Sequence, residues 1–186
     1  AATLSLEDEY RLGRMVMRGL RESVHVVDDP EIGEYLQSVG LRLSSLAQEG
    51  NRSFNFFLVK DPAINAFAVP GGFIYLTRGI LPFLRDEAEL AAVLGHEIGH
   101  VDARHSAEAY SKQLGAGLTL ALAGVLAPST QRLQGLAGAS LGVLFLRFGR
   151  DAELESDRLG VGYAASAGWD PRGVPGLLST LARLDA

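Results

Sequence analysis

The sequence predicts an α+β domain, mostly helical, with a small sheet or hairpin beside one long helix. Three observations carry that prediction. Apolar residues recur at helical spacing in several segments, and two short strand-like runs flank Pro70-Gly71-Gly72. A long helical run also opens at Asp86 with Glu89 three residues on, the pattern of a capping box. At 186 residues and 47% hydrophobic, the chain suits one domain with a substantial core. No repeat, low-complexity tract or composition shift marks a linker, so residues 1–186 read as a single domain.

Ser5 suits the N-cap of a first helix covering Glu7 to Arg21, with acidic residues early and basic residues late. Asp29-Pro30 reads as N-cap and first turn of a second helix carrying Ile32, Leu36, Val39 and Leu43, stopped by Gly50-Asn51. Phe54 to Val59 is a strand by its aromatic and β-branched content. Ala66 to Val69 and Phe73 to Thr77 form a hairpin, in which Pro70 supplies a fixed φ and either glycine accepts a positive one. The long helix runs from about Glu87 past Arg104. A further helix spans about Gly149 to Ala167, stopped by Gly168, and Asp170-Pro171 opens a last one.

Leu114 to Leu146 is strongly apolar and glycine-rich, interrupted by Pro128-Ser129-Thr130-Gln131-Arg132. Each half falls short of the roughly 20 residues that a membrane-spanning helix needs. The expectation is an apolar helical insert over about 114–148: a buried hairpin of two helices, with a lid or a membrane-touching hairpin as the alternatives.

A formal net charge of −5 with 21% charged residues offers no basic surface for nucleic acid. There is no cysteine, so a disulfide framework and a thiolate metal site are both impossible. A transition metal would have to be held by histidine and carboxylate. The start, Ala1-Ala2-Thr3-Leu4-Ser5, has neither the basic residues nor the apolar run of a signal peptide. That suits a cytosolic start, a processed chain or a boundary within a longer one equally.

His96-Glu97-Ile98-Gly99-His100 matches H-E-x-x-H inside the predicted long helix. Residues four apart share a helical face, so both imidazoles can reach one ion with Glu97 beside it. A catalytic zinc site normally takes three protein ligands and leaves a position for water. Without cysteine, the third ligand is another histidine or an acid. His105, five residues past His100, would be rotated off the ligand face of a continuous helix and is expected in a supporting or surface place. His25 stands alone in a predicted turn. Glu153, within Arg150-Asp151-Ala152-Glu153-Leu154-Glu155-Ser156-Asp157, is the better candidate. It shares a helical face with Asp157, which could accept a ring N–H of a ligand histidine and set its tautomer, whereas Glu155 points elsewhere. The competing reading of this cluster is a solvated, salt-bridged helix face. Two imidazoles and one carboxylate would leave one Zn2+ per chain with net positive charge, able to acidify a bound water and polarise a carbonyl. Glu97 would take the proton of that water as general base. Amide hydrolysis follows, with peptide as the natural substrate class.

Taken together, these residues resemble the HtpX/BepA/Oma1-like zinc metallopeptidases, gluzincins related to the CAAX prenyl endopeptidases. The resemblance covers about Val27 to Leu184 and rests on separated blocks: Asp29-Pro30 with Tyr35-Leu36, Asn65 to Gly72, Leu94 to Val101 with Arg104-His105, Arg150 to Asp157, and Gly168-Trp169-Asp170-Pro171. It implies a zincin-like metallopeptidase domain with Glu153 as third ligand, matched through R-x-x-E-x-x-A-D, where Ser156 stands in place of the usual alanine. It also implies that Asn65, Ala66, Phe67 and Ala68 hold an extended substrate by β-addition, an ordinary edge hairpin being the alternative. Members of the family continue past Gly-Trp-Asp-Pro to a Thr-His-Pro segment that this sequence does not hold, which leaves the oxyanion-stabilising group unassigned. The resemblance further implies an endopeptidase acting on unfolded or misfolded polypeptides in the bacterial cell envelope, on the periplasmic side, with peripheral membrane contact possible. A latent or chaperone-like zinc-binding module with little proteolytic activity is the rival reading, followed by an exopeptidase or non-peptide amidase. Oligomeric state is not encoded in any feature of the sequence.

Overall fold

The computed structural model describes residues 4–21, 24–47, 53–108 and 148–173. Helix α1 (Leu6–Leu20) opens on Ser5, whose hydroxyl accepts the Asp8 N–H, with Glu7, Asp8 and Glu9 in the first turn. Helix α2 (Pro30–Ser44) opens on Asp29, whose carboxylate accepts the N–H groups of Glu31 and Ile32. Strands β1 (Asn55–Val59), β2 (Ala66–Val69) and β3 (Phe73–Thr77) follow. The metal-motif helix α3 is Glu87–Asp102, and α4 is Arg150–Ser166. Asp170-Pro171 does start a helical turn, of 3-10 type, over Pro171–Gly173.

The three strands form one mixed sheet in the order β1-β3-β2. The expected hairpin is present, with β2 antiparallel to β3 in the register Ala66 to Leu76 and Val69 to Phe73. Gly71 and Gly72 both take positive φ, 92° and 98°, a region closed to most side chains. β1 joins the other side of β3 in parallel, Asn55 opposite Phe73. β3 is therefore central, and all five of its residues are buried. Its alternate side chains serve two cores. Phe73 and Tyr75 pack with Leu12, Val16 and Leu20 of α1, while Ile74 and Leu76 pack with Leu36, Val39 and Leu43 of α2 and Leu90, Leu94 and Ile98 of α3. α3 is apolar around most of its circumference because it lies inside this second core.

Two expectations need correction, and two lie outside the described residues. α3 does not run past Arg104: it ends at Asp102, and Arg104 takes φ 62° before a new helical turn begins at His105. The guanidinium of Arg104 holds that turn by bonding the Leu4 carbonyl and lying 3.2 Å from the Glu9 carboxylate. The capping box at Asp86 is also shifted. Asp86 accepts the Glu89 N–H as expected, but the Glu89 carboxylate accepts from the Arg85 N–H, one residue earlier. Gly50-Asn51 and the apolar insert at 114–146 lie outside the described residues. Among the described residues, no helix is long and apolar enough to cross a membrane.

Candidate metal centre

The site is built where α3 and α4 touch. Small residues line that contact. A side-chain carbon at Gly160 would come within 2.7 Å of the Gly95 and His96 backbone, so the two helices approach to a distance that only glycine allows. One turn away, Gly99 lies against Ser156, which is completely buried. This close approach carries Glu153 over the histidine face of α3. The Tyr163 hydroxyl of α4 donates to Asp102 at the C-terminal end of α3, a further bond between the two helices. The Gly168-Trp169 block ties the end of α4 to α2 and to the start of α3. The Trp169 indole N–H and the Tyr35 hydroxyl both donate to Glu87, and the Arg42 guanidinium stacks 3.9 Å from the Trp169 ring.

At the contact, His96, His100 and Glu153 bring one ligand atom each to within 4.8 Å of one another. His96 Nε2 lies 3.0 Å from His100 Nε2 and 3.0 Å from a Glu153 oxygen, and His100 Nε2 lies 3.4 Å from the other Glu153 oxygen. The far ring nitrogen of His96, Nδ1, sits 2.6 Å from Asp157. A carboxylate there accepts the Nδ1 proton and turns the Nε2 lone pair inward. Two imidazole nitrogens and a carboxylate facing one point at these separations form a donor set suited to a divalent cation. The residues present therefore fit a metal of the kind expected from the motif.

The electrostatics agree. For His96, burial opposes the charged ring, but the carboxylates of Asp157 and Glu153, with Glu97, outweigh it and raise the pKa to about 10. Burial raises the Glu153 carboxyl, yet hydrogen bonds from His100 and His96 overcome that and lower it to about 2. His100 is pushed down, chiefly by burial. Glu97 is buried, and loss of solvation lifts its pKa to about 7 against the pull of His96. The carboxylates that raise His96 are the same groups that would attract a cation to this point.

The expectations for neighbouring residues divide. Asp157 meets His96 as anticipated. Glu155 does point away from the ligand cluster, but its carboxylate lies 3.7 Å from His105 Nε2. His105 is not rotated away from His100: the break at Ala103-Arg104 returns it, Nδ1 to Nδ1, at 2.9 Å. A capping and period analysis sees only a continuous helix there, and the left-handed Arg104 carries no signal that sequence alone would expose. The glycine spacing of Gly95 with Gly99 and of Ser156 with Gly160 was the legible signal for the close helix contact. His25 is exposed and apart from the cluster.

The candidate substrate strand β2 is an edge strand by its place in the sheet order. The Thr77 N–H donates to the Asn65 carbonyl, and the Asn65 N–H is taken by the Thr77 hydroxyl. Antiparallel alternation then turns the N–H and C=O of Ala66 and Ala68 away from β3. The opposite edge of the sheet is partly covered, by a bridge between Val26 and Val59. Phe67 points to the other face, stacked on Tyr75 at 5.0 Å.

Comparison with known proteins agrees with this geometry. A family model described as peptidase family M48 matches residues 30–183. The chain is 35% identical over 190 residues to the beta-barrel assembly-enhancing protease of Escherichia coli (strain K12), covering 97% of this chain and 39% of that protein. It is 38% identical over 135 residues to the mitochondrial metalloendopeptidase OMA1 of Arabidopsis thaliana, covering 71% of this chain and 26% of that protein. It is also 31% identical over 157 residues to the metalloprotease YcaL of Escherichia coli (strain K12), covering 78% of this chain and 60% of that protein. The chain thus spans about two fifths of the first of these relatives.

Proposed function

Because the chain belongs to peptidase family M48, we propose that it is a zinc-dependent endopeptidase that hydrolyses peptide bonds of unfolded or misfolded polypeptides. The observation that carries this reading is the convergence of His96 Nε2, His100 Nε2 and the Glu153 carboxylate, with Asp157 turning the His96 lone pair inward. His96, His100 and Glu153 would hold one Zn2+. Bound there, the ion supplies a water acidified toward a pKa of about 7 and a Lewis acid for the scissile carbonyl.

The chain's own residues do the rest. Glu97 lies one position from a ligand histidine and is buried, where it can accept a proton and return it. In the proposed reaction it takes the proton of the attacking water and delivers it to the leaving amine. The outward N–H and C=O groups of Ala66 and Ala68 would pair with an extended peptide through main-chain bonds, with Asn65 and Phe67 flanking them. Main-chain pairing tolerates many sequences, which suits unfolded substrates.

We further place the activity in protein quality control of the bacterial cell envelope, on the periplasmic side. Supporting this is the likeness to an Escherichia coli protein named for enhancing β-barrel assembly. The test is incubation of the zinc-loaded chain with unfolded casein, with mass spectrometry of the products. Internal cleavage that disappears on metal removal and returns with Zn2+ is the expected result. Trimming from one terminus, or no cleavage by a fully loaded chain, contradicts the reading.

A further inference from the structure

We infer that His105 is a positioning residue for His100: it accepts the His100 Nδ1 proton, and its other ring nitrogen faces the Glu155 carboxylate. The inference rests on His100 being a metal ligand, as proposed above, and it concerns residues outside that ligand set.

The backbone makes this contact possible. In an unbroken helix, a residue five positions on lies about 140° around the axis from its partner, and the two side chains diverge. Here α3 stops at Asp102, and Arg104 takes φ 62°, so His105 starts a new turn and faces back. The two Nδ1 atoms lie 2.9 Å apart, with His100 only 2% and His105 9% exposed. At that distance and depth one nitrogen must donate and the other accept.

The direction follows from the ligand cluster. His100 Nε2 points at His96 Nε2 and Glu153, so its lone pair is the one available to a cation. The neutral ring then carries its proton on Nδ1 and donates it to His105 Nδ1. His105 must in turn carry its proton on Nε2, the nitrogen 3.7 Å from the Glu155 carboxylate. The buried Ser156 hydroxyl packs 3.3 Å from the same His105 Nδ1, but the single lone pair of that nitrogen is taken by the closer His100 proton. The reverse arrangement would protonate His100 Nε2 and take that ring out of the ligand set. His96 is thereby backed directly by Asp157, and His100 by His105, whose Nε2 faces the Glu155 carboxylate across 3.7 Å.

Two measurements on the full chain decide this. In the zinc-loaded protein, 15N–1H correlation spectra should show His100 protonated at Nδ1 and His105 at Nε2. The opposite tautomer for His105 overturns the inference without any substitution. Chelator competition should then show His105→Leu binding zinc about 10–100-fold more weakly than the parent, the usual effect of losing a partner behind a ligand. His105→Gln, whose amide oxygen can accept the same proton, should recover most of that loss. Parental affinity in His105→Leu, or equal weakness in His105→Gln, overturns the positioning role. Should His105→Leu fail to fold, His105→Gln and His105→Phe are compared instead, and equal affinity in these two overturns the positioning role, since only the amide can accept the His100 proton. A parent chain that binds no zinc removes the ligand reading itself. A parent that binds zinc with His105 in the wrong tautomer removes only this inference.

Discussion

The guanidinium of Arg104 lies 3.2 Å from the carboxylate of Glu9, a side chain only 1% exposed, and this pair joins the end of the metal helix to α1. The same Glu9 carboxylate accepts the N–H of Gly71 in the turn between β2 and β3. One buried acid thus ties together the helix of the H-E-x-x-H motif and the turn of the candidate substrate hairpin. It does so from a helix that precedes the residues matched by the family model.

Removing one partner of such a pair leaves the other charge without compensation. Glu9→Ala is expected to destabilise the chain by roughly 3–5 kcal/mol, measured by denaturant unfolding. A change below about 1 kcal/mol would mean that water or another group already satisfies Arg104.

The general-base assignment predicts a separation between binding and chemistry. Glu97→Gln should retain zinc at parental stoichiometry and lose about 10²–10⁴-fold in peptide hydrolysis. Turnover close to the parent in that variant rules out the role given to Glu97.

The acids of α4 should behave differently from one another. Glu153→Ala removes a charged ligand and is expected to lose most bound zinc by metal analysis. Asp157→Asn keeps the ligands but weakens the grip on His96 Nδ1, for a loss of about 10–100-fold in affinity. Glu155→Ala stripping the metal as thoroughly as Glu153→Ala would show that the register of α4 over α3 differs from the one described.

The pH dependence follows from the shifted groups. His96 has its pKa raised from 6.5 to about 10 in the folded, metal-free chain, so its contribution to stability is fully present below 6.5 and is lost as pH rises through 10. Glu97 is raised from 4.5 to about 7, and its contribution likewise fades as pH rises through that range. Zinc competes with the His96 proton, so the thermal stabilisation given by the metal should grow between about pH 6 and 9. Calorimetry of loaded and metal-free chains checks this, and a stabilisation that shrinks with pH contradicts it. Toward acid, zinc occupancy and activity should fall together as protons compete for the ligand histidines.

The substrate strand makes a positional prediction. Ala66→Pro and Ala68→Pro each remove an N–H that points away from β3, so both should sharply lower kcat/KM on peptides with little change in zinc content or thermal unfolding. Phe67→Pro, at a position whose N–H faces β3, should instead destabilise the hairpin itself. Casein cleavage at the parental rate by both Ala66→Pro and Ala68→Pro would remove β2 as the substrate rail.

Much of the architecture was legible because it is written in local patterns. Ser5, Asp29 and Asp86 all cap the helices they were expected to start, since each cap is a contact within three residues. The hairpin follows from two β-rich runs around a Pro-Gly-Gly turn. The parallel pairing of β1 with β3 was not legible, because a single strand-like run does not state which neighbour it will join. The helix break at Arg104 was missed for a related reason: what holds it is Glu9, nearly a hundred positions away.

By itself the sequence determined the residue types and spacings that make a metal site possible: His96 and His100 one turn apart, Glu97 between them, and no cysteine to compete. Helical periodicity alone puts those groups on one face, so no long-range information is needed. Only the tertiary structure decided what completes and supports the site. Glu153 reaches the histidines because Gly95 and Gly160 let two backbones approach closer than any side chain would allow. His105 reaches His100 because a remote carboxylate stabilises a left-handed turn at Arg104. Both depend on contacts between segments far apart in the chain: the small-residue spacing shows that each helix can approach another closely, but not which helix it meets.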